Sequence, residues 1–235
     1  MDIRDYLKHI EHIRSEVKAS FGDNLAFDVS NEGDSLEILV HGVIGEELDG
    51  LDSVSVVAAI KQFGGPAINL DISTPGGSVL DALAVYAALD ASPATVTANI
   101  TGGAMSAGTI IASGADNIRI GESASYMIHN AWTIAVGDAD IMEQAAEELR
   151  RSNQQIASLL AARSGQDVAE VARMMAAGAG NSGTTFVGAE AVEAGFADEV
   201  VKLKEKKKPG KMRAAPKRSA AALRREVLRA LTGGA

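Results

Sequence analysis

Gly102-Gly103-Ala104-Met105-Ser106-Ala107-Gly108 follows the β-like run Ala94–Ile100 and opens into a further small-residue stretch. Met127-Ile128-His129-Asn130 then closes the next apolar strand, its histidine 23 positions after the serine. A serine hydroxyl attacks carbonyls poorly until a base takes its proton, so a serine and a histidine brought together imply acyl chemistry. The turn into a helix predicted over Ser106–Ser113 points the hydroxyl toward unpaired backbone N–H groups. Gly103, Ala104, Ala107 and Gly108 leave room for a substrate backbone, and glycine tolerates the sharp turn. The spacing fits an out-and-back path. The helix leads away, Asp116–Ile120 and Ser125–Ile128 return, and His129 lands near Ser106.

A second glycine turn lies upstream. The predicted strand Ala67–Ile72 breaks at Ser73-Thr74-Pro75-Gly76-Gly77-Ser78, before a helix over Ser78–Asp90. The N–H of Ala107 and one from this turn would make the two fixed donors that a developing oxyanion needs; losing one typically costs ~10²–10³ in turnover. A serine among small residues equally suits tight helix packing, and a lone strand-end histidine is usually structural. The ordered set of glycine turn, serine turn and histidine, each after a strand, favours chemistry.

With these motifs on the page, the chain resembles the proteolytic subunit of Clp protease. The likeness rests on Pro75-Gly76-Gly77-Ser78, Gly103-Ala104-Met105-Ser106-Ala107-Gly108, Met127-Ile128-His129 and Ala189-Glu190-Ala191-Val192-Glu193-Ala194-Gly195, within about Ser35 to Val201. It implies Ser106 as nucleophile, His129 as general base, and Gly77 with Ala107 as oxyanion donors, with no metal or organic cofactor. It also implies the β-β-α spiral of the Clp protease and crotonase group, and stacked rings of identical subunits joined by a long handle helix. Asn130-Ala131-Trp132-Thr133 looks more like the phage and prophage branch, whose members process capsid or scaffold proteins during head assembly. Whether such a ring takes an unfoldase partner is not written in these residues.

One departure stands out. The family's third triad member is an acid shortly before the strand that leads into the Ala-Glu-Ala-Val helix. Counting back from that helix puts its place on Gly183, and no Asp or Glu occurs from Val171 to Ala189. Asn181, Ser182 or Thr184 could orient the imidazole but not stabilise imidazolium as a carboxylate does. In a well-studied triad, replacing the acid by its amide costs ~10⁴ in turnover. Three readings follow: a slow Ser–His protease, one that takes an acid from elsewhere, or an impaired assembly protein. Intact nucleophile, base and turns favour activity. An acyl-CoA enzyme of the crotonase group is the remaining rival; it would share the fold but rely on carboxylates.

Composition sets the frame. The 235 residues suit one domain with appendages, and 46% hydrophobic residues can fill its core. There is no cysteine, hence no disulfide framework, thiolate metal site or cysteine nucleophile. Asp2, Arg4, Asp5 and Lys8 interrupt what would be a signal peptide, and no apolar run approaches the ~20 residues of a membrane span, so a cytoplasmic protein without membrane contact is expected. Charge is unevenly spread. Lys202–Ala235 carries 12 of the 22 basic residues with only Glu205 and Glu226, a net of +10, against −19 for the rest.

Three regions follow: an amphipathic helix in 1–22, a protease-like domain in 23–201 and a basic tail in 202–235. In the first, Ile3, Tyr6, Leu7, Ile10, Ile13 and Val17 recur at helical spacing. His9 and His12 lie one turn apart there, but without a third ligand they read as solvent-face histidines rather than a metal site. The tail, with Ala220–Leu231 as a short basic helix, suits an acidic protein, nucleic acid, a neighbouring subunit or simple solvation. Between them the pattern predicts a strand at Ser35–Val43 and a helix at Asp52–Phe63 with Val54, Val57, Ile60 and Phe63 on one face. A long helix at Asp140–Arg163 is expected to be capped by Asp140 with Glu143 and striped by Ile141, Ala145, Leu149, Ile156 and Leu160. Helices at Val168–Ala177 and Ala189–Ala194 complete the pattern. Alternating strands and helices make this an α/β fold.

Overall fold

Alternation of period two builds the sheet. In β2 (Ser35–Ile44), β3 (Ala67–Gly77), β4 (Thr95–Met105) and β5 (Asn117–Gly121) every second side chain turns inward: Leu36, Ile38 and Val40; Ile68, Leu70 and Ile72; Val96, Ala98 and Ile100; Ile118 and Ile120. These strands run parallel in the order β2-β3-β4-β5, and β8 (Glu199–Val201) extends β5. At the other edge β1 (Phe27–Glu32) is antiparallel to β2. The coordinates are a computed structural model that describes residues 27–32, 34–45, 51–178, 180 and 182–202, all within the unit Met1–Lys202. The expected 1–22 helix, His9 and His12, the tail beyond Lys202 and Asn181 lie outside the described residues.

Strand β4 divides its pairing. Thr97–Ile100 ladder with β5, whereas Gly103–Met105 ladder with β6 (Ser125–Ile128), which pairs antiparallel with β7 (Thr184–Val187). Tyr126 of β6 is fully buried and stacks on Phe196, ring centroids 5.2 Å apart, with Phe186 tilted against the same ring. This aromatic contact seats β6, the strand that leads to His129. The inward face packs on α1 (Ser53–Gln62), α2 (Val79–Asp90) and α3 (Ala107–Ala112), while α4 (Ala139–Ser164), α5 (Val168–Met175) and α6 (Ala189–Glu193) complete the core around Leu160, Val171 and Ala191. None of the described helices is long and apolar enough to cross a membrane.

Several boundaries differ from expectation. β3 does not break at Ile72; it stays paired with β2 through Gly77, opposite Ile44, because the ladder absorbs two register shifts near Thr74. On α1 the buried side is Ser53, Val56 and Ile60, and Val54 is 74% exposed. Ser53 Oγ bonds the Asp81 carboxylate of α2, which rotates that line of residues inward. Helix α4 begins at Ala139, since the Asp138 side chain, not Asp140, accepts the Ile141 amide at 3.1 Å. Its stripe is buried only at Ile156 and Leu160, with Ala157 and Ala161; Ile141 is exposed.

Candidate active site

Ser106 and His129 meet because β4 and β6 are parallel neighbours whose C-terminal ends lie side by side. Met105 pairs with Met127, and the Ser106 amide donates to Met127 O at 2.8 Å. One step beyond β4 the chain turns into α3 through Ser106 itself, at φ 53° and ψ −124°. Among the described residues it is the one non-glycine with positive φ. Such a conformation is costly for a residue with a Cβ and persists where the surroundings hold it. The turn delivers the hydroxyl to the imidazole: with the ring proton on Nδ1, Ser106 Oγ donates to His129 Nε2 at 2.7 Å.

The chain just beyond the histidine is held by two backbone amides. Asn130 N donates to Met175 O at 3.1 Å, and Ala131 N donates to Asn153 Oδ1 at 2.7 Å, fixing the chain beyond it to α5 and α4. Partial burial strips solvent from the imidazole and holds its pKa below the ordinary 6.5. It is therefore neutral at pH 7, the form that accepts a proton. The sign is definite: a lowered pKa keeps His129 neutral further into acid. The acid limb of kcat/KM should fall below pH 6.5 in a pH–rate profile; a limb above that value would contradict this environment.

Gly183 governs the other flank. It precedes Thr184, which pairs with Ile128 in the β6–β7 ladder, and its amide donates to Ala177 O at 2.8 Å. At φ +80°, a Cβ there would sit 2.0 Å from Ile128 O and 2.5 Å from His129 Cβ. Backbone thus fills the space into which the resemblance would project an acid. Thr184 Oγ1 donates to Met174 O at 2.8 Å, and Ser182 is exposed with its hydroxyl over Gly178, so neither bonds His129. Among the described residues, the imidazole has one hydrogen bond, to Ser106.

The glycine turn reaches the same spot. A Cβ on Gly76 would lie 2.6 Å from Ser106 Cβ and 3.1 Å from Ala107 N, so the end of β3 faces the start of α3. Gly77, at φ +145°, presses on Ile44, where a Cβ would come within 2.1 Å of the carbonyl oxygen. Ala107 N, the first amide of α3, has no acceptor among the described residues. Beside Ser106 a small apolar cavity, with about 10 Å³ of free space, is walled by Val79, Ile110, Ile128, Ala131, Ile156 and Leu160. That is room for roughly one water. Sequence reasoning named Ser106, His129, Gly77 and Ala107 but passed over Asn153 and Thr74. A polar residue three before Ile156 on the packed side of α4 was the signal for the first.

Fold and site together define an α/β protein with a serine–histidine pair at the ends of two parallel strands. Comparison with known proteins agrees. Residues 54–204 match the Clp protease family. An ATP-dependent Clp protease proteolytic subunit of Leuconostoc citreum (strain KM20) is 31% identical over 144 residues, which cover 58% of this chain and 70% of that protein. A solved structure of a ClpP1 mutant from Listeria monocytogenes shares the fold, with a TM-score of 0.61 at 22% identity, over 72% of this chain and 92% of that one. The chain belongs to the Clp protease family.

Proposed function

We propose that this chain is a self-assembling serine endopeptidase that processes capsid or scaffold proteins during phage head maturation. The observation that carries the hydrolase reading is the 2.7 Å contact between Ser106 Oγ and His129 Nε2 at a strained strand-to-helix turn. Ser106 Oγ attacks the peptide carbonyl carbon as its proton passes to Nε2. The carbonyl electron pair moves onto oxygen, where the Gly77 and Ala107 amides hold it. Collapse breaks the C–N bond, and the imidazolium returns the proton to the leaving amine. Water then attacks the acyl-serine with His129 again as base, releasing the acid and restoring the hydroxyl. None of these steps calls for a metal or organic cofactor.

Membership of the Clp protease family supports assembly into stacked rings, with the exposed first half of α4 as the contact between them. The basic tail then suits an acidic head protein or packaged nucleic acid. Co-expression with phage capsid and scaffold proteins should yield discrete truncation products that disappear with Ser106→Ala. Intact head proteins alongside an enzyme that cleaves unrelated peptides would reject the head-maturation role and leave the peptidase. One observation favours a second reading, a catalytically impaired assembly protein: at Gly183, the position that resemblance assigns to the acid, a side chain would collide with Ile128 O and His129 Cβ.

A further inference from the structure

Among the described residues three buried residues are polar, Ser53, Thr74 and Thr109, and two of them contact the turns that meet at Ser106. Thr109 Oγ1 donates to Ser106 O at 2.7 Å, inside the turn. Thr74 does something less local. It sits where β3 loses register with both neighbours: His41 pairs with Ser73 but Val43 with Gly76, and Ile72 pairs with Ile100 but Thr74 with Ala104. Such shifts leave ladder groups without their regular partners. The Thr74 hydroxyl replaces two of them, donating to Gly42 O at 2.6 Å and accepting from Gly76 N at 3.0 Å. Its γ-methyl meets α3, since a Cβ on Gly108 would lie 2.4 Å from Thr74 Cγ2.

One side chain therefore touches the Gly76–Gly77 turn with its oxygen and the helix carrying Ala107 with its methyl. We infer that Thr74 is a positioning residue that fixes the separation between the Gly77 and Ala107 amides. The inference rests on the reading that these two amides hold an oxyanion. Glycine-rich backbone at φ +101° and +145° has many alternatives, and a donor acts only if it is already in place when charge develops.

The test compares Thr74→Val, which keeps the shape and removes the hydroxyl, with Thr74→Ser, which keeps the hydroxyl. Active sites are counted with a fluorophosphonate, so kcat refers to competent enzyme only. Thr74→Val should lower kcat by about 10- to 100-fold with KM within about twofold, because a displaced donor fails mainly in the transition state. Thr74→Ser should recover most of that loss. Gly108→Ala, which pushes on the same methyl from the helix side, should also lower kcat, and it serves where Thr74→Val does not fold. A titrated kcat within twofold of wild type for Thr74→Val, or for Gly108→Ala if the valine variant is lost, overturns the assignment. So does Thr74→Ser falling as far as Thr74→Val. Wild type that takes no label overturns the hydrolase reading and this inference with it; labelled wild type with an indifferent variant overturns this inference alone.

Discussion

Ser106→Ala should abolish covalent labelling by a fluorophosphonate probe and reduce peptide hydrolysis by at least ~10³-fold. The probe reports chemistry rather than folding, because it needs a hydroxyl made nucleophilic by a base and amides to receive charge. The substitution removes one oxygen from a turn whose shape is kept by the Ser106 amide on Met127 O and the Thr109 hydroxyl on Ser106 O, both backbone contacts that alanine retains. Stability should therefore change little. His129→Ala should abolish labelling too, and the double variant should be no worse than either single one, since the two residues act as a unit. Equal labelling of wild type and Ser106→Ala would exclude this hydrolase site.

Gly183→Asp should inactivate the enzyme where family resemblance alone would have it repaired. Any side chain at this position meets Ile128 O and His129 Cβ at distances no pair of atoms tolerates, at a backbone φ of +80° that L side chains rarely adopt. Relief requires moving β7 away from β6, which breaks the Ile128–Thr184 end of the ladder, or moving the imidazole, which breaks its 2.7 Å contact with Ser106. Activity should fall at least ~10²-fold, as misplacing a reacting group typically does, with a lower melting temperature. Gly183→Ala should do the same, which separates steric displacement from charge. A gain of activity in Gly183→Asp but not in Gly183→Ala would show that the strand yields and that an acid is accepted.

Much of this was legible in the residues. The strands β2, β3, β4 and β5 and the helices over Ser78–Asp90 and Val168–Ala177 were legible close to their first residues, because alternation and helix-start signals are local. Ser106 was legible because only a few arrangements put a serine between glycines after a strand. Other features were not. The three-residue strand β8 carries no alternation long enough to register. Val54 looked inward by spacing, yet the Ser53–Asp81 bond, 28 positions apart, decided the face of α1. Likewise, a sequence gap at Gly183 signalled only a missing acid. That backbone fills the space depends on β7 pairing with β6, a contact 56 positions long that no local pattern encodes.

The divided pairing of β4 has a consequence for endurance. A strand flanked by neighbours at both its beginning and its end has no loose selvage from which to fray. Its paired amides should be among the most slowly exchanging in the domain, which hydrogen exchange would read. The Ser106 hydroxyl, one step beyond this strand, is thus expected to keep its aim when less anchored parts of the domain loosen.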